Sequence, residues 1–297
     1  MQIKGLLQVF GRLWLMEESQ ASYWAGIAQQ ILVSKTLDAA PGMDPRTYKS
    51  LGKATGMQAY PEIFRVDAKG NMDPDGPVQV LVLKGPLMQD DYCGSAGMVT
   101  MQQAIRAANE DPEISSIVLY NDSPGGTAAG THNLAKEVKA SKKPVVSFVN
   151  NMMCSACYWV GSSASEIIAD DENGGYNTMI GSIGVKAVIM DDSKAMEMRG
   201  LRVVEVAAKQ SSRKGKYAED IRSGDYTRLN EELSQLADQF IKGVKQNRAG
   251  KLNTSTENVF EGDVYNVKQA LEYGLIDKIG SFDYAVKRSL QLAKTIK

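Results

Sequence analysis

One histidine, His132, stands in a chain of 297 residues. That scarcity excludes a zinc site built on two or more imidazoles, and a histidine-assisted nucleophile would have to recruit this single residue. Cysteine is almost as rare. Cys93, Cys154 and Cys157 are too few for a disulfide framework in a chain this long, so a reducing, cytoplasmic setting is expected. Long apolar runs are missing as well. The stretch Leu6 to Met16 is interrupted by Gln8 and Arg12 and covers about half of the ~20 residues a membrane span needs. Arg12, Glu17 and Glu18 also speak against a secretory signal, so no membrane anchor is expected. Neither charge sign dominates: 34 Lys plus Arg against 35 Asp plus Glu leave a net charge of -1, which gives no reason to expect nucleic acid or an anionic membrane as partner.

What is present is ordinary globular material, 43% hydrophobic and 23% charged with 27 Gly and 9 Pro, which excludes collagen-like, coiled-coil and disordered chains. Residues 1–76 differ from the rest. Ile3, Leu6, Leu7, Phe10, Leu13 and Trp14 fall at helical spacing, as do Trp24, Ile27, Ala28 and Ile31, which predicts two short amphipathic helices. From Ala39 to Gly76 the chain is rich in Pro, Gly, Asp and Lys without sustained periodicity and reads as a linker.

The pattern changes at Pro77, and residues 77–297 read as one α/β domain. Strands are predicted at Val78–Leu83, Ile114–Tyr120, Pro144–Val149 and Glu166–Ala169, with helices at Met101–Asn109, Ala128–Ala140 and Ser155–Ser162 between or after them. Repeated βα units of about 30 residues imply right-handed crossovers and a parallel sheet. Further on, strands are predicted at Val185–Met190 and Arg202–Val206, around a helix at Asp192–Arg199. A long helix from Thr227 to Arg248 has Leu229, Leu233, Leu236, Phe240 and Val244 on one stripe. A helix at Val264–Tyr273, a strand at Leu275–Ile279 and a final helix close the chain.

Three segments could carry chemistry. Ser123-Pro124-Gly125-Gly126 follows a strand and precedes a helix, where glycines turn the backbone sharply and expose N–H groups able to hold an oxyanion; by itself such a segment is far more often a plain turn. Ser155 also sits where a strand leads into a helix, at the sheet end where ligands of open α/β folds bind. It is either a nucleophile or the cap of that helix. Cys154 and Cys157 form a Cys-x-x-Cys pair, but the only other soft ligands, Cys93 and His132, are distant in sequence, so buried small residues explain the pair better than redox or metal chemistry. A serine needs a base. His132 reads as a surface residue, which leaves the lysines and the carboxylates as candidates, and a Ser/Lys dyad needs no histidine at all. With a reference pKa of about 10.4 a lysine is neutral in about one molecule in 2,500 at pH 7, so it must be desolvated. Lys209, Lys214 and Lys216 crowd one segment and the residues alone do not choose among them.

Four separated stretches resemble the signal peptide peptidase A family of Ser/Lys peptidases, especially its phage and prophage head-maturation branch. They are Asp122-Ser123-Pro124-Gly125-Gly126, Met153 to Trp159 around Ser155, Gly181-Ser182-Ile183-Gly184, and Gly262-Asp263-Val264-Tyr265 through Gly274 to Gly280. The resemblance implies a fold related to the Clp protease and crotonase superfamily, built of stacked ββα units. It implies Ser155 as nucleophile, Lys214 as general base, Ser182 as the hydroxyl holding the lysine amine, and the N–H groups of Gly126 and Ala156 as the oxyanion hole. It implies no cofactor and no metal. Where the family usually has two glycines after the nucleophile this chain has Ala156 and Cys157, and Lys214 requires a two-residue insertion after Gly184, so Lys209 stays an alternative and Lys216 a weaker one.

The activity so implied is a cytoplasmic or prohead-enclosed serine endopeptidase. Its substrate would be a scaffold or capsid protein, docked as an added β-strand with small apolar side chains near the scissile bond. Family relatives form rings or domes, so a homo-oligomer is implied, with the N-terminal arm a candidate contact. Two rivals remain: a crotonase-like acyl-CoA enzyme, which has no need of Ser155, and a capsid-assembly protein that kept the fold and lost activity.

Overall fold

The computed structural model describes residues 14–16, 62–91, 95–171, 177–189, 193–202, 204, 206–253, 255 and 258–295. Its centre is an eight-stranded sheet in which most neighbours run parallel. The strands that set the site are β3 (Val78–Lys84), β4 (Ser116–Ser123) and β6 (Val145–Cys154), paired in parallel in that order. β7 (Glu166–Ala169) extends the sheet beyond β6, and β2 (Ile63–Val66) closes the other side antiparallel to β3. β2 thus falls inside the stretch read as a linker: four residues in a Pro/Gly/Asp context are enough for an edge strand once β3 offers a partner.

Alternation along these strands sorts apolar side chains onto two covered faces. Val78, Val80, Val118, Val146, Phe148 and Ile168 face the C-terminal helix Phe282–Thr295 and its Ala285 and Val286. Leu81, Leu83, Ile117, Leu119 and Ile167 face a second layer of helices. Because both faces are buried, the strands read as near-continuous apolar runs rather than alternating ones. The second layer contains α1 (Met98–Glu110), α2 (Ala128–Lys139) and α3 (Ala156–Ser162). α1 buries Met98, Met101, Ile105 and Ala108, a stripe at spacing three to four.

Several elements depart from the sequence pattern. Trp14, expected to close the first N-terminal helix, begins a strand instead: β1 (Trp14–Met16) pairs antiparallel with β5 (Gly125–Thr127). The second N-terminal helix lies outside the described residues. Residues 185–189 and the described residues among 202–206 form no strand. Their β-branched composition resembles a buried strand, but Val188, Ile189, Val204 and Val206 are exposed and lack the second packed surface that strands of this sheet have. The segment read as a helix over Val264–Tyr273 is a strand, β9 (Val264–Tyr265), followed by a helix, Val267–Glu272. Asn266 stops the strand by capping that helix: its side chain accepts from the Gln269 N–H while the Gln269 side chain returns to the Asn266 N–H.

Candidate active site

The site forms where adjacent parallel strands end. β6 pairs with β8 (Met179–Gly181) so that Cys154 lies opposite Gly181, and the next residue on each strand is a serine, Ser155 and Ser182. The two residues are therefore neighbours, although 27 positions separate them in sequence. On the other side of β6, Ser123 lies opposite Met153 after a register shift in β4, and β5 (Gly125–Thr127) begins two residues later. α3, the helix after Ser155, packs against β5.

Ser155 and Ser182 share a second property. They are the non-glycine residues with positive φ among the described residues, each at 51°. Such a backbone costs on the order of 1–3 kcal/mol for a side-chain-bearing residue and persists only where surrounding contacts impose it. Here they do. The Ser155 N–H donates to Gly181 O at 2.8 Å and its carbonyl accepts from Trp159 N at 2.9 Å, while the Ser182 N–H donates to Asp263 O at 2.7 Å. Ser155 precedes α3 with ψ -120°, and its side chain makes no cap bond to the helix. Ser155 thus stands at the N-cap position without capping through its side chain, and the hydroxyl points instead toward Gly184 O at 3.5 Å. Ala156 is the first residue of α3, in the turn whose N–H groups have no partner within the helix. Ser155 is 1% exposed and Ser182 9%.

Gly126 is needed for a steric reason that the sequence does not reveal. A Cβ there would lie 1.9 Å from Leu87 O and 2.6 Å from Leu87 C and N. Leu87 runs parallel to Gly126, its N–H donating to Gly125 O at 2.8 Å and its carbonyl accepting from Thr127 N at 2.9 Å. Leu87 therefore positions the glycine strand, a role missed in the sequence, where Lys84-Gly85-Pro86 marks only a turn. Ser123 adds to the support by donating its hydroxyl to Gly85 O at 2.6 Å.

The other candidates separate. Cys157 is fully buried, bonds Asn121 Oδ1 through its thiol at 3.3 Å, and is pushed by burial far above the ordinary thiol range, the opposite of a reactive thiolate. Cys154 is buried on the end of β6 with its thiol toward Met179 O at 3.5 Å. Both are free thiols serving as small packing residues. His132 is exposed on α2, its ring 5.7 Å from that of Trp159, one helical turn past Ser155. Lys209, Lys214 and Lys216 are all exposed. Lys216 pairs with Asp220 at 2.9 Å, and the hydrogen bond and charge of Asp220, with Glu219, hold its amine above the usual lysine value. That makes Lys216 a poor neutral base. Lys214 follows a short 3-10 turn at Lys209–Ser211, and the fold of one copy leaves it solvated.

A profile of Peptidase family S49 matches residues 137–296, just over half of the chain. Protease 4 of Salmonella typhi is 28% identical over 234 residues, covering 75% of this chain and 35% of that protein. Capsid assembly protease C of Escherichia phage lambda is 26% identical over 231 residues, covering 70% of this chain and 50% of that protein. Against the curated relatives it matches first, the chain spans about a third to somewhat over half of their length. Among solved structures, a ClpP1 variant from Listeria monocytogenes is similar at 13% identity and a TM-score of 0.43, covering 70% of this chain and 94% of that one.

Proposed function

The chain belongs to Peptidase family S49, and from that premise we propose that it is a serine endopeptidase whose nucleophile is Ser155. The observation that carries this reading is the paired strain at Ser155 and Ser182, two buried serines brought side by side with left-handed backbones at the ends of β6 and β8. In the proposed reaction Ser155 Oγ attacks a substrate carbonyl carbon while a neutral lysine takes the hydroxyl proton. The carbonyl oxygen becomes an oxyanion held by the N–H groups of Gly126 and Ala156. The lysine then protonates the leaving amine, and water releases the acyl group by the reverse sequence of proton transfers.

Lys214 is the proposed base and Ser182 the hydroxyl that orients its amine. Desolvation of Lys214 then requires a surface beyond the single copy. Met198, Leu201, Val204 and Val206, in the segment leading to the lysines, are 59–91% exposed, an apolar stretch suited to burial between copies of the chain. A homo-oligomer that covers this segment would desolvate the base as it forms. The expected substrate is a protein, and the lambda capsid assembly protease among the relatives supports a coat or scaffolding polypeptide as its class. Hydrolysis of casein and of coat or scaffold polypeptides by the full chain tests the reading: Ser155→Ala should abolish it, and equal rates for variant and parent would remove Ser155 from the chemistry. A crotonase-like acyl-CoA reaction would leave the Ser155→Ala variant active.

A further inference from the structure

β1 and Leu87 hold opposite edges of β5. Trp14 pairs with Thr127, Leu15 with Gly126 and Met16 with Gly125, antiparallel. On the other edge Leu87 binds Gly125 O and Thr127 N. The N–H and C=O of one trans peptide unit point in opposite directions, and no cis bond occurs among the described residues. Gly126 N–H shares its peptide plane with Gly125 C=O, so it points away from Leu87. Gly126 C=O shares a plane with Thr127 N–H and points away from Leu87 too. Both groups are turned to the edge where Leu15 sits. Leu15 and Gly126 are thus the hydrogen-bonded kind of antiparallel pair, in which each N–H meets the other residue's C=O, while the N–H and C=O of Met16 turn away from β5.

Gly126 N–H is the group assigned above to the oxyanion, and a peptide added to β5 as a strand has to use this same edge. We propose that Trp14–Met16 is an intramolecular ligand of the peptide-binding edge, a tethered strand that competes with extended peptide substrates for Gly126. Its functional consequence rests on the Gly126 and Ser155 assignments, but the competition itself is a binding equilibrium. A tether supplies an effective concentration of about 1 mM, so if the free strand binds with a Kd of about 0.1 mM, an outside peptide is weakened about tenfold.

The test uses the full-length Ser155→Ala chain, so that nothing depends on turnover, and a fluorescein-labelled peptide with the sequence Phe10–Gln20 read by fluorescence anisotropy. Leu15→Pro removes the N–H that meets Gly126 C=O, and in this background it should tighten probe binding about tenfold. Equal affinity with and without Leu15→Pro overturns the proposal. Backbone chemistry in the probe checks the register without depending on how a variant folds. N-methylation at Leu15 should lower its affinity at least tenfold, N-methylation at Met16 less than twofold, and equal effects of the two contradict the pairing. Fluorophosphonate labelling of the unsubstituted chain separates the two readings. Labelled Ser155 with unchanged probe affinity refutes the tethered competitor alone, and tighter probe binding without labelling refutes the peptidase reading alone.

Discussion

Adding one methyl group at Gly126 should disable the site while leaving most of the protein standing. The new Cβ would lie 1.9 Å from Leu87 O, where ordinary van der Waals contact begins at 3.4 Å, so the strands must separate by about 1.5 Å. The obstacle is backbone, with no flexible side chain to swing aside. Two bonds resist the move, Leu87 N–H to Gly125 O at 2.8 Å and Thr127 N–H to Leu87 O at 2.9 Å. Overpacking of this kind costs about 1–3 kcal/mol, less than the total stability of a domain of this size, so Gly126→Ala should remain folded with a lowered Tm. Its catalytic effect should be larger. Displacing an oxyanion donor costs about 10²- to 10³-fold in kcat, and a shift exceeding 1 Å is enough to do it. Circular dichroism on heating reads the first effect and hydrolysis of a fluorogenic peptide reads the second. Native kcat in a folded Gly126→Ala protein would refute the oxyanion assignment.

If Ser182 orients the lysine amine, Ser182→Ala should lower kcat at least about tenfold with an unchanged circular dichroism spectrum, and full activity would remove it from the mechanism. Lys214→Arg keeps the charge but makes a neutral base unattainable, so it should abolish peptidolysis while Lys209→Arg and Lys216→Arg do not. The third concerns stability. Burial works to raise the Asp277 carboxyl, but the Arg248 guanidinium at 2.7 Å and Lys251 outweigh it and hold it below the usual carboxylate range. A depressed carboxylate contributes stability fully present above its unfolded value of about 3.9 and lost as pH falls through the folded value. Chemical denaturation at falling pH should therefore show a loss below about pH 4 that Asp277→Ala lacks, and at pH 7 that variant should lose about 3–5 kcal/mol by leaving the buried Arg248 charge unpaired.

Legibility in the sequence followed burial. Glu166–Ala169 was readable to the residue, because a short apolar run between polar flanks has one outcome when both faces are covered. Val188 and Val206 belong to similar runs and form no strand, since nothing local tells a chain whether a second surface will be there. The helix expected over Val264–Tyr273 is cut by the Asn266-to-Gln269 capping box, a signal present in the sequence that the reading of one continuous helix passed over. For the site, local chemistry left Ser155 divided between nucleophile and helix cap, and only resemblance chose. What the structure adds is a φ of 51° and no side-chain cap bond at Ser155, a residue that directly follows the pairing of β6 with β8 and so is placed by residues far away in the chain. The pairing of Leu15 with Gly126 was hidden for the same reason: three residues in a helical-looking stretch become a strand because β5 has an open edge.

The most direct measurement is reaction of the full chain with a fluorophosphonate probe, followed by mass spectrometry of the modified peptide. One adduct is expected, on Ser155, formed faster as pH rises and absent after Lys214→Arg. An adduct on any other residue, or none from a folded, assembled chain that still cleaves protein, would contradict Ser155 as the nucleophile.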